Sequence, residues 1–124
     1  MVTLALFAVI GLNPYAQHVA DRVCGEEVVM VDFYDNKNVG MWSDKIYIQE
    51  GLPKDDMRMT IVHECCHAMF DTLPKDDIFG KPPYVNSYAA TDYEEDYCES
   101  YAYHRVGKLN GVKDLFFRSL EITK

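Results

Sequence analysis

Two prolines, Pro53 and Pro74, bracket a stretch whose apolar residues recur at helical spacing while its histidines fall elsewhere. Pro53-Lys54-Asp55-Asp56 supplies a turn, an N-cap and negative charge beside the positive end of a helix dipole. A helix must stop before Pro74, because the residue preceding a proline is pushed out of the α region. The spacing predicts a helix from about Met57 to Asp71. At about 100° per residue, Met59, Val62, Cys66, Met69 and Phe70 share an arc of about 100°, a core-facing stripe. His63, Glu64, His67 and Asp71 occupy the adjoining arc. One edge of this helix is built to pack, and its neighbour carries reactive groups.

The flanking segments read as an α+β domain. Asn13 is a good N-cap, Pro14 suits the first helical position and Gly25 the position after the last, so residues 14–24 form a short helix with Ala16, Val19, Ala20 and Val23 inward. Val28–Tyr34 is β-branched and aromatic and reads as a strand; Asp35-Asn36-Lys37-Asn38 is a turn cluster. Val39–Trp42 and Lys45–Gln49 are two more short strands. The expected architecture is a small antiparallel or mixed sheet, antiparallel being the more economical, packed on the histidine helix and on a second helix downstream. Residues 74–90 have no strong period and form a loop. Thr91-Asp92-Tyr93-Glu94 matches a capping box opening a helix to about Val106, and residues 112–122 form a last helix with Val112, Leu115, Phe116 and Leu120 as its apolar face. Without repeats or a Gly/Ser-rich linker, residues 1–124 are expected to form one domain.

Charge and cysteine usage narrow the partners and the compartment. Lys and Arg number 12 against 20 Asp and Glu, a net charge of −8. That balance argues against nucleic acid or an anionic membrane as partner, since both demand clustered cations. Met1–Leu12 is almost wholly apolar but lacks a basic start and an A-x-A-like cleavage site, and Asn13-Pro14 closes it early; a buried strand is expected, a short apolar helix second. No apolar run reaches the roughly 20 residues needed to span a bilayer. The cysteines, Cys24, Cys65, Cys66 and Cys98, form no spaced framework and two are adjacent, so reduced thiols and a cytoplasmic location are expected. No sequence feature assigns an oligomeric state.

His63-Glu64-Cys65-Cys66-His67 has the form H-E-x-x-H. Residues four apart sit one turn apart on one helix face, so both imidazoles can reach one ion, while Glu64 points to the side, where a carboxylate can hold a water. Zinc is the natural candidate, with three protein ligands and an open fourth position. A metzincin continuation is excluded, since Phe70 and Leu73 stand where it requires Gly and His. Glu95 shares its helix face with Cys98, Ala102 and Val106, and a carboxylate aimed at a core is costly unless paired or metal-bound, which makes it the preferred third ligand. Glu99 is a fallback, or a second carboxylate that orients a ligating histidine; Asp71 has that same role or is a solvated helix end. Glu94 is expected to reach back to Thr91, and His104, among tyrosines, to be a surface or aromatic-packed histidine. Cys65 and Cys66 are not expected as ligands. Of the tyrosines between Tyr84 and Tyr103, each singly reads as packing, although one could donate to a transition state.

Residues 46–105 resemble the ImmA/IrrE-type zinc peptidases and, more broadly, the compact gluzincins called minigluzincins. The resemblance rests on Ile46-Tyr47-Ile48, on Thr60-Ile61-Val62-His63-Glu64-Cys65-Cys66-His67, and on Glu95-x-x-Cys98-x-x-Tyr101-Ala102. The last piece is similar to that family's E-x-x-A-x-x-F-A helix, whose Glu is the third zinc ligand, and so implies the same role for Glu95. Cys66 stands where the family commonly has Gly, and Cys98 where it has Ala. The resemblance implies a zincin-like fold and a zinc metallopeptidase acting on a protein or peptide substrate, with His63, His67 and Glu95 as ligands and Glu64 as general base. In gluzincin-like folds a strand such as Lys45–Gln49 pairs with extended substrate. Two alternatives stay open: a latent zincin-fold protein serving as a regulatory protein-binding module, and a structural zinc protein.

Overall fold

The structure, a computed structural model, describes residues 6–122. It is α+β, a mixed four-stranded sheet with four helices, and it divides into two compact units that part between Ala68 and Met69. The first unit contains β1 (Phe7–Gly11), α1 (Pro14–Val23), β2 (Val28–Phe33), β3 (Gly40–Trp42), β4 (Ile46–Gln49) and α2 (Lys54–Met69), whose last residue lies past the division. The second contains two short 3₁₀ turns (Phe70–Thr72 and Ala89–Thr91), α3 (Tyr93–Arg105) and α4 (Gly111–Ile122).

In the first unit the strand order is β1-β2-β4-β3. β1 pairs antiparallel with β2 and β3 antiparallel with β4, but β2 and β4 run parallel, from Val28 beside Ile46 to Val31 beside Gln49. The purely antiparallel arrangement fails because the 34–39 connection carries the chain past β4's position before β3 and β4 close a tight hairpin. Asp35 Oδ1 shapes that connection, accepting from the backbone N–H groups of Lys37 at 2.9 Å and Asn38 at 3.0 Å. β4 is therefore interior and β3 is an edge.

Both faces of β2 are covered, which is why its sequence is apolar without alternation. Val28 and Met30 share one face with their partners Ile46 and Ile48, all at most 1% exposed. Val29, Val31 and Phe33 cluster on the other with Phe7, Met41 and Tyr47. The strand expected in the apolar N-terminal stretch is present but not buried: Val9 and Ile10 are exposed, because β1 is a sheet edge with a bulge after Val9. Residues 1–5 of that stretch lie outside the described residues.

α1 forms as its caps dictate. Asn13 Oδ1 accepts from Tyr15 N–H at 3.0 Å and Ala16 N–H at 3.1 Å. Gln17 then ties the helix to β2, donating to Glu26 O and accepting from Val28 N–H, both at 2.9 Å. Cys24, at the end of α1, is bonded to Cys65 in α2, and Cys66 and Cys98 are disulfide-bonded as well. The reduced thiols expected from the sequence are thus corrected. Adjacent helical residues point about 100° apart, so adjacency keeps Cys65 and Cys66 from bonding each other without keeping either from a partner elsewhere.

The second unit is organised by one buried ion pair and a cluster of rings. Asp96 is 0% and Lys113 is 3% exposed. Lys113 Nζ donates to Asp96 Oδ2 at 2.8 Å, to Lys81 O at 2.8 Å and to Pro83 O at 2.7 Å, using all three of its protons. Asp96 Oδ2 also accepts from Gly80 N–H at 2.8 Å. The long loop is thereby pinned. Tyr97 OH adds a bond to Pro74 O at 2.7 Å, and Tyr93 OH donates to Asp76 O at 2.8 Å. Phe79 fills the centre, its ring centroid 4.6 Å from that of Tyr97 and 5.4 Å from those of Phe116 and Phe117.

This pairing rotates α4 about its axis, leaving Phe116 and Leu120 of the expected face half-buried. Val112 and Leu115, expected inward, are 56% and 63% exposed, whereas Lys113, Asp114 and Phe117 are buried. His104 explains Asp114: its Nδ1 lies 2.7 Å from Asp114 Oδ1 and its Nε2 2.7 Å from Glu121 Oε1, with the ring stacked on Phe117. Specific polar partners outweighed the period.

Lys113→Ala leaves a desolvated carboxylate without its cation and is expected to cost about 3–5 kcal/mol in urea or thermal unfolding, with Asp96→Leu/Lys113→Met recovering most of it. The Cys24–Cys65 bridge closes a separation of 41 residues, so Cys24→Ser/Cys65→Ser is expected to lose about 4 kcal/mol by the chain-entropy relation.

Candidate metal centre

His63, Glu64 and His67 sit on the last full turns of α2. From Ile61 to Cys66 that helix is buried on every side: Ile61, Cys65 and Cys66 are 0%, Val62 2%, His63 5% and Glu64 8% exposed. Over these residues the arc that carries the reactive groups is as buried as the packing stripe. Two contacts within the first unit contribute to this coverage. Cys65 is bonded to the end of α1, and the side of Thr60 and Glu64 lies against β3.

The two imidazoles converge. His63 Nε2 and His67 Nε2 are 2.9 Å apart, with ring centroids 4.7 Å apart and planes inclined at 63°. Ligand atoms 2.0–2.1 Å from a tetrahedral ion stand roughly 3.3 Å from each other, so the two nitrogens, now at hydrogen-bond distance, need only part slightly to share a cation. A Glu64 carboxylate oxygen completes a group whose ligand atoms all lie within 4.8 Å of one another; the three residues can hold a metal ion. The donor set of two nitrogens and a carboxylate fits a borderline divalent cation.

Glu64 is held beside the sheet by an unexpected neighbour. Gly40 pairs with Ile48 and so shares its face, and a Cβ built on Gly40 would lie 3.1 Å from Glu64 Oε2. Sequence reasoning missed Gly40, although a glycine opening a strand is a mark of close approach.

The remaining predicted residues lie in the second unit. Glu95 is half-buried on α3, with its Oε2 atom shielded from solvent. Its N–H donates to Asp92 Oδ1 at 2.8 Å, which makes Asp92 the N-cap. Thr91, expected in that role, belongs to the preceding 3₁₀ turn, where its hydroxyl donates to Tyr88 O at 2.8 Å. Glu99 accepts from Asn86 Nδ2 at 2.7 Å. Asp71 is exposed, as a solvated helix-end carboxylate is. His104 is packed on a ring as expected, but bridges two carboxylates besides. Among the tyrosines, Tyr97 has its phenol pushed well above the ordinary value by burial, with further upward pressure from the neighbouring Tyr93 and Tyr101, and so stays a neutral donor. Cys65 and Cys66 are in disulfides and offer no thiolate.

Compared with known proteins, the chain matches no protein-family model, no curated protein and no solved structure. No helix among the described residues is long and apolar enough to cross a membrane.

Stoichiometric binding of a divalent cation is expected for the intact chain. His63→Ala and His67→Ala should each lower its affinity by at least 100-fold, measured by competition with a chromogenic chelator.

Proposed function

We propose that the protein is a zinc-dependent metallopeptidase of zincin-like fold, related to the ImmA/IrrE-type and compact gluzincin peptidases, that hydrolyses peptide bonds in a protein or peptide substrate. The observation that carries this reading is the 2.9 Å approach of the two Nε2 atoms with the Glu64 carboxylate in the same cluster. His63 and His67 would hold the ion. The Glu95-x-x-Cys98-x-x-Tyr101-Ala102 pattern carries the assignment of Glu95 as third ligand. Bound there, zinc supplies Lewis acidity and lowers the pKa of a coordinated water toward 7.

Glu64 is the general base in this reading. Its carboxylate accepts a proton from the attacking water and passes it to the departing amine, so it must be ionised at the start. Its position under β3 also selects the substrate-pairing strand. Lys45–Gln49, expected in that role, is interior, with both backbone edges used by β2 and β3. β3 has an outward edge, and its first residue, Gly40, lies against Glu64 on one face. An extended peptide added to β3 would present its carbonyls near the base. The oxidised cysteines favour a compartment where disulfides persist over the cytoplasmic one that reduced thiols implied.

Glu64→Gln is expected to keep stoichiometric zinc while lowering kcat on an unfolded protein substrate by about 10²–10⁴-fold. Glu95→Ala should lose zinc; retention would move the third-ligand assignment to Glu99 or Glu94.

A further inference from the structure

Gly40 stands apart from the other glycines of the chain. Gly11, Gly25, Gly51, Gly80, Gly107 and Gly111 all have positive φ, so their backbone conformation alone accounts for them. Gly40 is in an ordinary strand conformation, yet a Cβ there would lie 2.5 Å from Thr60 Cγ2, 3.1 Å from Glu64 Oε2 and 3.2 Å from Glu64 Cγ. Its reason is space, not torsion.

Neither neighbour yields that space readily. Thr60 is β-branched in a helix, and its Oγ1 donates to Asp56 O at 2.8 Å, which fixes the rotamer that aims the methyl at β3. Glu64 is 8% exposed, so its carboxylate has little room to swing. β3 is itself anchored to β4 through Gly40, Met41 and Trp42. A side chain at position 40 would press first on the Thr60 methyl and next on the Glu64 side chain.

We infer that Gly40 is a positioning residue: the empty volume at the start of β3 sets where the Glu64 carboxylate rests relative to the two histidines. The inference rests on the reading of Glu64 as general base for its consequence in catalysis, but the placement of the carboxylate is testable without it. It also places a requirement on β3 beyond pairing, since the strand must be bare where it crosses the base.

The test uses Gly40→Ala in a Thr60→Ser background. Serine keeps the hydroxyl able to bond Asp56 and removes the methyl, which leaves the Glu64 side chain, at 3.1 and 3.2 Å, as the next neighbour of the added Cβ. Thermal unfolding of the metal-free chain comes first, in a cycle with Glu64→Ala. Gly40→Ala should lower the midpoint by about 4 °C or more when Glu64 is present and by less than half as much when it is absent. Equal losses in both backgrounds would overturn the inference, because Gly40 would then act through the fold and not through the carboxylate. The second readout is the Co²⁺-substituted protein. Its visible spectrum should shift in Gly40→Ala/Thr60→Ser with one ion per chain retained, and that shift should vanish in the Glu64→Ala background. Third, kcat on an unfolded protein substrate should fall at least 10-fold with KM changed less than 2-fold, and Thr60→Ser alone should match the parent. A parent chain that binds no cation or cleaves no peptide would defeat the peptidase reading, while the unfolding cycle still decides the role of Gly40.

Discussion

Two imidazoles and a carboxylate on one buried helical segment dominate the chemistry of the first unit. Burying such groups is unfavourable unless each has a compensating interaction, and the cost rises steeply if the carboxylate is ionised. α2 accepts this from Ile61 to Cys66, where covering side chains leave His63 and Glu64 at 5% and 8% exposure. Helix geometry then does the rest: a separation of four residues brings the rings together edge to face, and the intervening Glu64 is turned toward β3. A low-dielectric setting strengthens every electrostatic interaction that an ion would make there.

The sheet is shaped to permit that arrangement. Threading β4 between β2 and β3 leaves the short β3 as a margin and puts its first residue over α2. The same threading covers both faces of β2, giving the unit a core on one side built of Val28, Met30, Ile46 and Ile48. The second unit solves a different problem. Its long loop is anchored by Phe79 and fastened by Lys113, Asp96, Tyr93 and Tyr97 through backbone oxygens and amides.

Much of this was legible in the sequence because local chemistry agreed with the outcome. Asn13 and Pro14 started α1 where they should, and the H-E-x-x-H spacing foretold the convergence of His63 and His67. Four things were hidden, each depending on a partner far along the chain. The parallel pairing of β2 with β4 is set by where a connection runs. The inward face of α4 is set by Asp96 and His104, which no periodicity in residues 112–122 encodes. The oxidation of Cys65 and Cys66 depends on what each sulfur meets. Gly40 was silent because a missing side chain has meaning only against its neighbour.

β1 adds a colloidal property to the molecule. This edge strand exposes the side chains of Val9 and Ile10, with Leu6 and Leu12 flanking them, and carries no lysine or proline from Phe7 to Gly11, where the bulge after Val9 discourages lateral growth. The net charge of −8 makes copies of the chain repel one another. Mutual repulsion of that kind is long-ranged and fades as electrolyte shortens the Debye length. Repulsion between copies is therefore strongest in dilute buffer and weakest in concentrated salt.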